Sequence, residues 1–174
     1  AFILSNDLYR IIDKAVSCGQ SWQGVFSIAI APLMDAWGFG NNRRLGIPSS
    51  FEIKELLPLV SLAGVCLYPE MMAVELAQGV SLDLGGVAKG YAVDEGLAVL
   101  REHKVTAAYI NAGGDIGVFG FKPGGKPWTI GVRDPRIENG KDYIKEYIIH
   151  INEGSVVTSG DYERYFIDDG ARYH

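Results

Sequence analysis

Residues 81–94 read SLDLGGVAKGYAVD, and this stretch decides the fold class. Val80–Leu84 alternates apolar and polar residues in the manner of a half-buried strand. Gly85-Gly86 breaks that pattern. From about Val87 to His103 the apolar spacing becomes helical, with Val87, Tyr91 and Ala98 joined by Val93, Leu97 and Leu100 on one face. Strand patterns dominate the rest. Ala107–Ile110, Ile116–Phe121, Trp128–Val132, Tyr147–Ile151, Ser155–Val157 and Tyr162–Ile167 are predicted strands. Turn residues separate them: NAGG at 111–114, KPGG at 122–125, ENG at 138–140, NEG at 152–154 and Asp169-Gly170. Consecutive strands joined by short turns imply antiparallel pairing.

Upstream, Ser5 caps a predicted helix over about 6–18, and Asp7 complements its dipole. Leu8, Ile11, Ile12, Ala15 and Val16 form its inner face, and Gly19 reads as its stop. Gly24–Trp37 is apolar with small polar residues interspersed, and Gly38–Ser50 reads as an exposed loop. Ser49 or Ser50 caps a short helix, Glu52–Leu57, stopped at Pro58. Val65–Tyr68 and Met72–Leu76 are predicted strands around a Pro-Glu turn. This order predicts an α+β fold, a mostly antiparallel sheet with helices packed on it, and not a regular βαβ succession.

Composition bounds the function. A chain of 174 residues predicts one domain, or one and a fraction, and a compact domain of this size buries roughly 70% of its unfolded surface. With 48% hydrophobic residues it is not an intrinsically disordered chain. Its 22 glycines have no three-residue period, which excludes collagen. No apolar run approaches the length of a membrane-spanning helix. A net charge of −5 without a basic patch argues against nucleic acid as a partner. Cys18 and Cys66 are too few for a disulfide framework or a zinc site, and their apolar neighbours predict two buried, inert thiols.

The densest chemical signal is again 81–94. A helix that starts after two glycines presents unpaired N–H groups and a positive dipole end, and glycine lets a phosphate approach the backbone. Lys89 falls in the first turn, where a cation is unfavourable for stability, so it is a candidate for holding an anion. Asp83 could accept a hydrogen bond from a ligand. A plain β-to-α turn with a solvated lysine is at least as good a reading on spacing alone, because short glycine motifs are weak. Asn111 to Asp115 is either backbone room for a flat or charged ligand or simply a turn with two residues at positive φ. In TSGDYERY, 158–165, Ser159 has no base placed by sequence, and Asp161 with Arg164 reads as an exposed pair. His103 suits a helix C-terminus, and His150 suits the outer face of a strand.

Five segments in order nonetheless resemble the ApbE family, the FAD:protein FMN transferases once called thiamine biosynthesis lipoproteins. Residues 24–40, GVFSIAIAPLMDAWGFG, are similar to that family's GAFD-x-T-x-x-PL-x-x-x-WGFG stretch. Residues 82–94 are similar to its LDLGGIAKGYAVD. Segments 111–116, 131–135 and 158–165 recur in the same order, so the resemblance covers nearly the whole chain.

The resemblance implies an enzyme that uses Mg²⁺ to split FAD, attaches FMN to a Ser or Thr of a target protein and releases AMP. It implies flavin-substrate contacts at Val25, Phe26, Ser27, Asp83 and Lys89, and a metal contact through the Gly86 carbonyl. Ser27 departs from the family, which has aspartate there. The implied target is a subunit of a membrane redox complex. The implied location is extracytoplasmic, facing the periplasm, with attachment to the membrane through a lipid anchor. The family domain extends past both ends of these 174 residues, with its lipobox and an aromatic flavin contact upstream. Its HIIDPRTG motif and further metal ligands lie downstream, so the chain is expected to be one partial domain and a poor enzyme alone. A non-catalytic FAD carrier and an FAD pyrophosphatase are the alternative readings.

Overall fold

A computed structural model describes residues 1–40, 46–133, 143–160 and 165–174. The expected turn at 138–140, part of the expected 38–50 loop and the Asp161/Arg164 pair lie outside the described residues. The chain divides into two compact units, Ala1–Val87 with Phe166–Tyr173, and Ala88–Tyr165 with His174. Each contains helix and antiparallel strands, as the α+β reading expects, although the strands are spread over small separate sheets.

In the first unit, β1 (Phe2–Ile3) leads into α1 (Asn6–Ser21). Ser5 caps α1 by accepting the Leu8 N–H at 3.3 Å. Tyr9, Ile11, Ile12, Ala15, Val16 and Gly19 are buried along one stripe, whereas Leu8 is exposed, so Tyr9 takes the place expected for Leu8. Gly19 does not stop the helix. It lies under Leu62 and the Phe26 carbonyl, both of which a Cβ would strike, so its role is close approach. The chain leaves the helix one turn later through Gln23 and Gly24, both at positive φ, with the Gly24 N–H returning to the Gly19 carbonyl at 2.8 Å.

Next come α2 (Ala31–Ala36), with Pro32 in its first turn, and α3 (Ser50–Leu56). Ser49 and Glu52 make a reciprocal capping box at the start of α3. Pro58 ends α3 but not the helical course, because a 3₁₀ turn over Leu57–Val60 can carry a proline near its start. β2 (Val65–Tyr68) and β3 (Ala73–Leu76) pair antiparallel, with β1 on the other edge of β3. Met72 sits at φ 45° in the turn before β3, so that strand starts one residue later than its pattern suggests. The expected strand Val80–Leu84 does not form. Ser81–Leu84 belongs to no ladder, although the Asp83 N–H reaches the Ile28 carbonyl at 2.8 Å. Two-residue alternation reports a half-buried extended chain, and a strand also needs a partner running alongside. The hairpin of β9 (Phe166–Asp168) and β10 (Ala171–Tyr173) completes the unit. There Phe166 stacks on Tyr173 at 5.3 Å, with Phe39 and Trp37 tilted against them.

Both cysteines are exposed, against expectation. Apolar neighbours in sequence were the wrong guide: Cys18 precedes the buried Gly19 on the outer side of α1, and Cys66 points outward on β2 opposite exposed Glu75. The same face carries Tyr68, whose hydroxyl donates to Glu75 Oε2 at 2.9 Å. Hydrogen bonds with Cys66 and Glu75 push the Tyr68 hydroxyl up to about 12. A raised folded-state value means that this contribution to stability is complete below pH 10 and is lost as pH rises through about 12. Ultraviolet titration of the protein minus its Tyr68→Phe variant should therefore place one phenolate midpoint near pH 12; a midpoint near 10 would remove this account.

In the second unit, α4 (Ala88–Glu102) packs on β4 (Ala108–Ala112) and β5 (Asp115–Phe119). Glycines on both layers permit the approach: a Cβ on Gly96 would lie 2.8 Å from Ile110, and one on Gly117 2.5 Å from Val93. Val93 is buried and Leu97 and Leu100 are partly so, but Ala98 is exposed, so the inner face is narrower than expected. β8 (Glu153–Val156) pairs with the far edge of β5, and β6 (Trp128–Arg133) pairs with β7 (Tyr143–Ile151). Every strand pairing among the described residues is antiparallel. His150 is exposed on β7, as expected, and lies 3.3 Å from Thr129 Oγ1. No described helix is long and apolar enough to cross a membrane.

Candidate functional site

The first unit gathers Phe26, Ser27, Asp83 and Gly86. After the left-handed turn at Gln23 and Gly24 the chain displays Val25, which is 89% exposed. Phe26 follows, half-buried, with Trp22 edge-on to its ring at 6.3 Å. Ser27 bends the chain. Its Oγ donates to the Val60 carbonyl at 2.6 Å and accepts the Ala29 N–H at 3.1 Å. Ile28 is then driven into the core at 1% exposure, and its carbonyl holds the Asp83 N–H.

Asp83 turns onto its own chain, with Oδ1 accepting the Gly85 N–H at 2.7 Å. This is an Asx turn, the local bond that short carboxylates favour. The Val87 N–H closes the next turn on the Leu84 carbonyl at 2.9 Å. Gly86 is exposed in that turn, and a Cβ placed on it would meet the Phe26 ring at 3.5 Å. Phe26 and the glycine turn are therefore neighbours, although far apart in sequence.

Lys89 belongs to the second unit, in the first turn of α4. That turn contains no acidic residue, so the positive end of the helix dipole is uncompensated there. The Lys89 Nζ is 2.8 Å from Asp115 Oδ1, with side chains 52% and 15% exposed respectively. Asp115 begins β5 directly after Gly113 and Gly114, both at positive φ, as that turn was expected to be. The Asn111 Oδ1 accepts the Gly114 N–H at 2.8 Å and braces the turn. The sequence placed Asp115 only at the end of the Asn111–Asp115 turn. Its role as the Lys89 counter-ion depends on how α4 lies on β5.

A metal ion is not accommodated by this set alone. Among the described residues no three His, Cys, Asp or Glu side chains gather to hold one. Mg²⁺ wants near-octahedral oxygen coordination, whereas Gly86 offers one carbonyl and Asp83 one carboxylate already engaged by Gly85.

A sequence model of the ApbE family matches residues 1–174. The chain belongs to the ApbE family. It is 36% identical over 172 residues to the FAD:protein FMN transferase of Klebsiella pneumoniae, covering 98% of this chain and 51% of that protein. It is 31% identical over 186 residues to the protein of the same name from Treponema pallidum, covering 99% and 50%. Among solved structures, the ApbE protein of Thermotoga maritima superposes with a TM-score of 0.85 at 39% identity, over 98% of this chain and 54% of that one. The apo flavinyl transferase ApbE of Pseudomonas stutzeri gives 0.78 at 27% identity, over 99% and 52%. The chain spans about half the length of the curated relatives it matches.

Proposed function

We propose that this ApbE chain serves the transfer of FMN from FAD to a Ser or Thr of a target protein. The acceptor oxygen forms a new bond to the FMN phosphorus, the pyrophosphate bond breaks, AMP leaves, and the hydroxyl proton passes to a base or to water. The observation that carries this reading is the bond from the Asp83 N–H to the Ile28 carbonyl, which brings the glycine turn beside Phe26. Family membership over the whole chain and the names of the relatives support it.

Each residue has a chemical part on this reading. Gly86, with no side chain, leaves the backbone open to a pyrophosphate. The free lone pairs of Asp83 accept a donor from the ligand. Phe26 and exposed Val25 give apolar surface to a ring. In the second unit, Lys89 is a half-exposed cation beside Asp115, and family resemblance alone gives it a contact with the flavin substrate. Mg²⁺ belongs to the reading as a group whose side-chain ligands the described residues do not supply. The acceptor is a subunit of a membrane redox complex outside the cytoplasm, with a lipid anchor holding the transferase nearby; family resemblance alone supports this part.

Incubation of the full-length protein with FAD, Mg²⁺ and a Ser/Thr target peptide tests the proposal. A flavinylated peptide together with AMP supports it. Free FMN would identify a pyrophosphatase, and bound but intact FAD would identify a carrier. Lys89→Ala should weaken FAD binding about tenfold, while stability falls by only about 1 kcal/mol because the Lys89 end of the ion pair is half exposed, although Asp115 is largely buried. Calorimetric titration with FAD beside a thermal melt checks this. A melting point lowered by several degrees at unchanged affinity would make Lys89 structural.

A further inference from the structure

The geometry points to Ser27 as a positioning residue that sets the Asp83–Gly86 turn. This rests on the proposed FAD site and assigns Ser27 a different role from the flavin contact its place in the family motif implies. Its hydroxyl has one proton, and the Val60 carbonyl takes it at 2.6 Å. One lone pair is occupied by the Ala29 N–H at 3.1 Å. Ser27 therefore has no donor left for a ligand while these bonds stand.

The two bonds act together. The one to Val60 ties the segment to the 3₁₀ turn after α3, and the one from Ala29 locks the bend across Ile28. Ile28 and Ala29 are fully buried, so the direction of the Ile28 carbonyl follows from the bend. That carbonyl holds the Asp83 N–H at 2.8 Å, and Asp83 in turn holds Gly85 at 2.7 Å. The brace thus runs from Val60 through Ser27 and Ile28 to the glycine turn, all within the first unit. A bond of this kind changes an equilibrium by up to about tenfold.

The test compares Ser27→Ala and Ser27→Thr, the second of which keeps the hydroxyl. Hydrogen exchange at the Asp83 amide, without any ligand, should quicken about tenfold in Ser27→Ala and return toward the parent rate in Ser27→Thr. FAD titration should show affinity reduced by up to about tenfold in Ser27→Ala, again restored by Thr. Unchanged exchange at Asp83 would overturn the proposal, and a loss of FAD affinity in Ser27→Ala without faster exchange there would mark a direct ligand contact instead. If the parent protein binds no FAD, the proposed function fails, and the exchange result alone decides for or against the brace.

Discussion

Gly86→Val is expected to lower FAD affinity by at least about a hundredfold, roughly 2.7 kcal/mol, while leaving the fold nearly intact. The two effects separate because of the local geometry. Gly86 is not among the glycines with positive φ, so a side chain meets no left-handed strain there. A Cβ would rest at 3.5 Å from the Phe26 ring, an ordinary contact, and the residue is otherwise exposed. The stability cost should therefore be about 1 kcal/mol or less. The isopropyl group would occupy the space through which an anionic ligand approaches the backbone. Calorimetric titration with FAD and a thermal melt give the two readings, and near-parental affinity in a folded variant would place the phosphate elsewhere. The adjacent glycine is not equivalent. A Cβ on Gly85 would lie 2.8 Å from Asp83 Oδ1, so Gly85→Ala disturbs the Asx turn itself.

The largest loss of stability is expected from Gly120→Ala, which should cost more than about 3 kcal/mol. Gly120 follows β5 at φ 70°, where an L side chain is strained by about 1–2 kcal/mol. The new Cβ would also collide with the Thr106 carbonyl oxygen and lie 2.8 Å from the Ala107 Cα. Both are backbone atoms beside β4 and cannot rotate away as a flexible side chain can. The Gly120 carbonyl accepts the Trp128 indole N–H at 3.0 Å, so the strain reaches the start of β6. At about 2–4 °C per kcal/mol, the melting point should fall by roughly 10 °C. Gly113→Asn is the control. Gly113 is also at positive φ, 62°, but a Cβ there meets nothing within 4 Å, and asparagine tolerates that conformation. Thermal melts followed by far-ultraviolet circular dichroism should rank Gly120→Ala well below Gly113→Asn; equal melting points would contradict the backbone collision.

Which elements the sequence announced depended on how local their causes are. α1 and α4 were legible because their apolar stripes run for several turns, and the Ser49–Glu52 capping box lies within four residues. α2 was missed: six residues give less than two turns of pattern, and they sit in a continuous apolar run. β1 was missed because two residues carry no period, and its pairing with β3 joins distant parts of the chain. The false strand at Val80–Leu84 shows the reverse error, a correct local pattern without a ladder partner. Within the site, Phe26, Ser27, Asp83, Lys89 and Gly86 were named through the family motifs. Their long-range partners were not, because Val60 is distant in sequence from Ser27, Ile28 from Asp83 and Asp115 from Lys89.

By itself the sequence determined the α+β class, the principal helices, the antiparallel habit of the strands and the family. Helical period, caps and glycine turns act over a few residues, and five ordered motifs are specific whatever their spatial arrangement. Only the tertiary structure decided that Ser27 gives its proton to Val60, that Ile28 holds Asp83, and that Lys89 is held by Asp115. It also decided that Gly19 and Gly117 serve close packing and that both cysteines face outward. Each of these depends on which distant segments meet and which way a given residue points when they do. Burial and packing of the whole unit settle that, and no local pattern encodes it.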